Sequence, residues 1–285
     1  MSKPIESKVR GQRRGPQMQM VAGKSARTVK PMLSVAALAL MLGLGALSGV
    51  RADEADARNM FKAMSGHMAA QKAISFQYDT VLEIVTNDKQ KLALASSGMV
   101  TLNRPDKLRV TRTGGFADVE FLFDGKTLTL LGKTANLYGQ LEVPGTIDHL
   151  VDELRNKGRP VPGADLLLSN VYDQLMPTAV NVKDLGSGVI GGVECDHFAF
   201  RTNEVDWQIW IAQGSRPYPC RYVITSNQVA QAPQYSLTIT DWKTGDAVGA
   251  VDFSFKNATS AKKRDLANLP DMDELPKIFA VGGQK

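Results

Sequence analysis

The stretch GSGVIGGVECDH, residues 186–197, decides between two folds. Gly186, Gly188 and Gly191 carry the G-x-G-x-x-G spacing of a dinucleotide-binding turn, and the run continues into Cys195 and His197, which resemble the start of a metal or nucleophile site. Such a fingerprint works only when the glycines follow a strand and open a helix, so that a pyrophosphate meets the helix N-terminus. Here they lead into VECDHFAF, a β-rich continuation. The run 186–192 therefore predicts a hairpin connection in which glycine supplies positive φ, and the surrounding chain reads as antiparallel β rather than doubly wound α/β.

Working outward, the same two-residue alternation recurs on both sides. ISFQYDTVLEIV (74–85) places Phe76, Tyr78, Leu82 and Ile84 on one face and Gln77, Asp79 and Glu83 on the other, the period of a half-buried strand. KLALASSGMVTLN and KLRVTRT follow, and FADVEFLF is joined to KTLTLLG through Asp124-Gly125, a strong hairpin signal. ANLYGQLEV makes a sixth strand. Downstream, AVNVKDLGSGVIGG, VECDHFAFRT, VDWQIWIAQ, PCRYVITSNQ and QYSLTITDWK predict a second meander, with AVDFSF (250–255) as a last strand.

Two segments break this pattern. In DEADARNMFKAMSGHMAAQKA, Ala57, Met60, Phe61, Met64 and Met68 recur at helical spacing behind an acidic first turn. Between the meanders, residues 145–178 form a helical insert, with Thr146 as N-cap and Ile147, Leu150, Val151 and Leu154 on one face. The layout is α+β: one strongly curved antiparallel sheet of about 11–12 strands wrapped around a few helices, with space left between them.

Charge is unevenly distributed. The chain has 34 Lys/Arg and 29 Asp/Glu, yet nine of the basic residues and only Glu6 of the acids lie in residues 1–52, which leaves the remainder at −3. A slightly acidic body has no electrostatic attraction to phosphate backbones, so no nucleic-acid partner is expected. Residues 1–52 read as an export signal: a basic region, the apolar run MLSVAALALMLGLGALSGV, and a VRA cleavage pattern ending at Ala52. An uncleaved inner-membrane anchor is the alternative, and membrane contact is otherwise transient. Either way residues 53–260 form an exported, periplasmic domain, followed by a polar tail, 261–285.

In an oxidising compartment Cys195 and Cys220, 25 residues apart, predict a disulfide worth about 3 kcal/mol in the chain-entropy model, against the alternative of two buried thiols. Cys195 and His197 project to one face, but zinc needs three or four ligands and only His67 and His149 remain among the histidines. No Gly-x-Ser-x-Gly elbow is present, and Asp79, Glu120, Asp124 and Glu142 occupy polar alternate or turn positions. No catalytic residue, metal or cofactor is expected. What remains are apolar rows: Phe76, Tyr78, Leu82 and Ile84; Val119, Phe121 and Phe123; Trp207, Ile209 and Ile211. The residues alone leave two readings open, a filled core and a core with a hollow that accepts an apolar ligand.

MFKAMSGHMAAQKAISFQYD, SSGMVTLNRPDKLRVTRTGGFADVEFLFDGKTLTLLG, GVECDHFAFR, DWQIWIA and RPYPCRYVITS together resemble a family of predicted periplasmic proteins, number 2092 among the domains of unknown function, over roughly residues 55–250. In layout that family is similar to the periplasmic lipoprotein carriers, LolA-like half-open β-barrels that hold acyl chains beneath a helical lid. RPDKLRV and the DWQIWIAQGSRPYPCRYVI hairpin carry that second likeness, from which the cysteine pair and the long insert depart. The resemblance implies a non-enzymatic carrier of a lipid or other hydrophobic molecule, with an envelope protein as a possible partner, and the three rows as cavity-lining candidates. The alternatives are an exported interaction domain with a filled core, and a hydrolase or metal enzyme using Cys195 and His197.

Overall fold

A computed structural model describes residues 54–114, 118–159 and 161–265, all within one unit of the chain. The leader 1–52, the proposed cleavage site and the tail beyond 265 lie outside the described residues. Helix α1 (Glu54–Ala70) is followed by β1 (Ala73–Val85), β2 (Lys91–Asn103), β3 (Lys107–Gly114), β4 (Asp118–Phe123), β5 (Thr127–Gly132) and β6 (Leu137–Glu142). The insert holds α2 (Ile147–Asn156), a 3₁₀ turn at Ala164–Leu167, α3 (Val171–Leu175) and a second 3₁₀ turn at Met176–Thr178. Strands β7 (Asn181–Ile190), β8 (Val193–Arg201), β9 (Val205–Ala212), β10 (Pro219–Ser226), β11 (Gln234–Thr244) and β12 (Lys262–Lys263) complete the chain. No helix among the described residues is long and apolar enough to cross a membrane.

All twelve strands form one curved, open sheet in the order β12-β6-β5-β4-β3-β2-β1-β11-β10-β9-β8-β7, a half-open arrangement rather than a closed barrel. Each pairing is antiparallel except that of β12 with β6. Sequence neighbours pair within each meander, and the two meanders meet at a ladder between β1 and β11, where Leu82 faces Tyr235 and Thr80 faces Leu237.

The alternation of each strand decides its faces. Phe76 on β1 stands opposite Val100 on β2, which stands opposite Val110 on β3 and then Phe121 on β4, so one inward row crosses four strands. Ile74, Leu102, Leu108, Phe123 and Leu128 form the next row and are buried. On the β8–β10 side the concave face is filled: Phe61 of α1 packs its ring 5.6 Å from Phe200, 5.3 Å from Trp207 and 5.7 Å from Tyr172 of α3. The amide of Tyr172 donates to Ser65 Oγ at 3.1 Å, tying α3 to α1.

Three expectations are corrected. The segment 250–255 is not a strand; a 3₁₀ turn at Gly245–Val248 precedes it and it crosses the convex face without ladder bonds. There Asp252 offers its carbonyl to Arg109, and Phe255 packs 4.8 Å from Tyr138. The stretch 261–265, expected as the start of a polar tail following the domain, instead supplies β12, and Ala261 is buried. Finally, Gly186 and Gly188 belong to β7, and the tight connection is only Gly191-Gly192, both at positive φ. Gly186 sits at φ 83° in a bulge of β7, its amide bonded to Asp184, and a Cβ on Gly188 would lie 3.5 Å from the Trp210 indole nitrogen.

Candidate ligand cavity

The concave face is not filled everywhere. Between β1–β5, β11 and the helical insert lies a cavity of about 370 Å³. Its floor and walls come from inward positions of the sheet: Phe76, Tyr78, Thr80 and Leu82 of β1, Val100 of β2, Leu108, Val110 and Arg112 of β3, Phe121 of β4 and Leu128 of β5. Tyr235 and Leu237 of β11 close one side. The insert forms the roof, with Leu150, Val151 and Leu154 of α2, the connector Val161–Ala164, and Leu167.

Local sequence explains the roof. Thr146 Oγ1 accepts the amide of His149 at 3.1 Å and so starts α2, and the i, i+1, i+4 spacing of Leu150, Val151 and Leu154 then turns one apolar face toward the cavity. Asp148 holds the next segment in place by accepting from the amide of Ser169 at 2.9 Å and from its hydroxyl. Arg155 bridges Asp152 and Asp165 across the connector.

One glycine shapes the wall. Gly98 on β2 stands between Tyr78 on β1 and Arg112 on β3, and a Cβ there would lie 1.9 Å from the Thr111 carbonyl oxygen and 2.6 Å from the Tyr78 hydroxyl. The missing side chain lets the Tyr78 ring lie across β2, where its hydroxyl donates to the Thr111 carbonyl at 2.9 Å. Beyond it, Thr80 Oγ1 and Ser96 Oγ share a hydrogen bond of 2.7 Å, so that these two buried hydroxyls satisfy one another.

The sequence candidates divide. Phe76, Tyr78, Leu82 and Phe121 line the cavity. The other six do not: Ile84 is buried beyond the lining part of β1, Val119 and Phe123 are buried in the wall, and Trp207, Ile209 and Ile211 belong to the filled side beneath Phe61. Alternation specifies which face of a strand is apolar, but helices α1 and α3 determine which part of that face is occupied. The roof residues, the β2 and β3 positions and Arg112 were missed. A signal for Arg112 exists in Leu108-x-Val110-x-Arg112, which puts a cation in register with an apolar row.

The chemical candidates have other engagements. His197 stacks on Trp210 with ring centroids 3.8 Å apart, and its Nε2 lies 2.9 Å from Gln208 Oε1. Burial lowers its pKa, opposed by the Gln208 contact and by Asp184. Cys195 and Cys220 face one another as buried thiols, Sγ to Sγ 2.7 Å, and burial pushes both thiols up. Raised thiols are poor nucleophiles at neutral pH. Among the described residues no group of three His, Cys, Asp or Glu side chains is placed to hold a metal.

A model of the family described as "Predicted periplasmic protein (DUF2092)" matches residues 57–266. Among curated proteins none is similar enough in sequence to match. Solved structures that are similar include the Mycobacterium tuberculosis lipoprotein LppX, at 13% identity and TM-score 0.37 over 71% of this chain and 100% of that one. An uncharacterised conserved protein of Thermus thermophilus is 8% identical, TM-score 0.42, over 73% and 98%. The MucA/MucB complex of Pseudomonas aeruginosa gives 14% and 0.39 over 69% and 61%.

Proposed function

The chain belongs to the family of predicted periplasmic proteins DUF2092, and from that premise we propose that it is a non-enzymatic carrier whose cavity takes up a hydrophobic molecule, a lipid or an acyl chain. One observation carries the reading: a space of about 370 Å³, walled by aliphatic and aromatic side chains, remains open in a domain whose other half is packed solid. Apolar-lined hollows of roughly 300–1,000 Å³ are the usual form of a small-molecule site. A fold that needed only stability would collapse the space, because unfilled core volume is destabilising.

Residues 1–52 serve in this reading as the export signal, and a docking protein of the envelope would receive the cargo. Oxidation of Cys195 and Cys220 to a disulfide belongs to the same proposal, since the exported compartment is oxidising and the sulfurs already face each other. The experiment is solvent extraction of the purified exported protein followed by mass spectrometry, with uptake of a fluorescent fatty acid measured in parallel. Co-purifying lipid or saturable uptake is expected. An empty extract together with no uptake overturns the carrier reading in favour of an interaction domain.

A further inference from the structure

We infer that the cavity is a blind slot that admits one hydrocarbon chain lengthwise and gauges it, with the methyl end stopped at Leu108 and Leu128 and the other end of the chain left at a mouth beside Val161; this rests on the cavity being a ligand site. The closed end follows from register. Leu108 on β3 and Leu128 on β5 line the cavity in a row whose other members, Ile74, Leu102 and Phe123, are buried and do not line it. The roof is fastened at this same end. The amide of Ile147, the first residue of α2, donates to the carbonyl of Pro105 at 2.8 Å, in the turn that leads into β3, and the Ile147 side chain is fully buried.

Away from that end, exposure rises along roof and floor together. On the roof, Leu150 and Val151 are buried, Leu154 is half-buried and Val161 is 42% exposed. On the floor, Phe76 is buried, whereas Leu82 and its neighbour Tyr235 are half-buried. β11 contributes only Tyr235 and Leu237, opposite Leu82 and Thr80, and β5 only Leu128, so the path crosses the strands obliquely from mouth to closed end. From Ile74 to Leu82 the floor runs about 26 Å at a rise of about 3.3 Å per residue. A volume of about 370 Å³ strung along that length leaves room for one chain and none for a second beside it. The polar side chains met on the way, Tyr78, Thr80 and Arg112, each have a partner within the protein, so hydrocarbon contact is what the slot adds for each further carbon admitted.

The test is a series of straight-chain carboxylates from octanoate to eicosanoate, with 2-hexyldecanoate as the branched isomer of hexadecanoate, titrated calorimetrically into delipidated wild type, Val110→Phe and Leu108→Ala. Each further methylene buried should tighten binding roughly fourfold until the methyl end reaches the closed row, after which affinity should level off. The branched isomer, whose longest chain is that of decanoate, should bind roughly tenfold more weakly than hexadecanoate. Val110 lines the floor one row above Leu108, so a phenyl ring there should bring the plateau to acids shorter by about 7 Å of chain. Octanoate should bind that variant as it binds wild type, which also reports that the variant is folded. Leu108→Ala should move the plateau to longer acids. A rise that continues through eicosanoate, a plateau that neither substitution moves, a loss in Val110→Phe that is the same for every acid, or equal affinity for the two isomers overturns the gauge and leaves the carrier reading standing. Failure of every acid to bind wild type removes the carrier reading itself.

Discussion

Phe121 and Phe123 are two residues apart on one strand, both inward, and their environments are opposite. Phe123 is fully buried in the row it forms with Ile74, Leu102, Leu108 and Leu128, so Phe123→Ala should cost about 3–5 kcal/mol in urea denaturation. Phe121 borders the cavity, and Phe121→Ala should cost less stability while weakening retention of a bound fatty acid. Equal stability losses with unchanged retention would show a filled site. Gly98→Ala should destabilise by about 1–3 kcal/mol or more, because the added carbon meets backbone rather than a movable side-chain end. Histidine protonation supplies a pH signature. His197 and His67 both have pKa values lowered chiefly by burial, so the unfolded chain binds protons that the folded chain refuses. Their contribution is intact above the ordinary histidine value of about 6.5 and is lost as pH falls through it; urea midpoints at pH 7.5 and 5.5 should differ, and less so in His67→Gln/His197→Gln. The lowered carboxyls of Asp206 and Asp88, each with a side-chain hydrogen bond as the leading cause, act in a separate window, below about pH 4.

At the scale of elements, the strands were largely legible and their occupants were not. β1 and β2 appear as the alternation reads, because a half-buried strand writes its two faces into every second residue. Residues 250–255 alternate equally well yet pair with nothing, since what their apolar side chains cover is the back of the sheet rather than a ladder partner. The glycines of β7 misled in the same way: Gly186 and Gly188 answer to a bulge and to Trp210, tertiary facts with no local signature. The roof begins at a cap that sequence does disclose. Thr146→Ala should loosen α2 by about 1 kcal/mol, seen as roughly fivefold faster amide exchange in α2 and faster release of bound lipid. If Cys195 and Cys220 are bridged in the exported protein, denatured unreduced samples will show no free thiol, and reductant will lower stability by about 3 kcal/mol. Two titratable thiols would mean the pair stays reduced.

For the molecule as a whole, one sheet serves two halves with different contents. On the β8–β10 side α1 and α3 drive aromatic rings into the concavity; on the β1–β5 side α2 stands off and leaves it open. Hydrophobic patterning cannot separate these cases, since Trp207 and Phe76 obey the same alternation and differ only in what helix faces them. The joint between the halves has its own consequence. Among the described residues, and apart from the two-residue β12, the β1–β11 ladder alone connects strands distant in the chain. A polypeptide emerging N-terminus first therefore exposes β1, thirteen residues long, as a bare edge until Gln234–Thr244 arrive, and until then the receptacle lacks its Tyr235 and Leu237 side. Copies truncated before Gln234 would offer that edge to one another, so the last meander strand shields the first from self-association as well as walling the cavity.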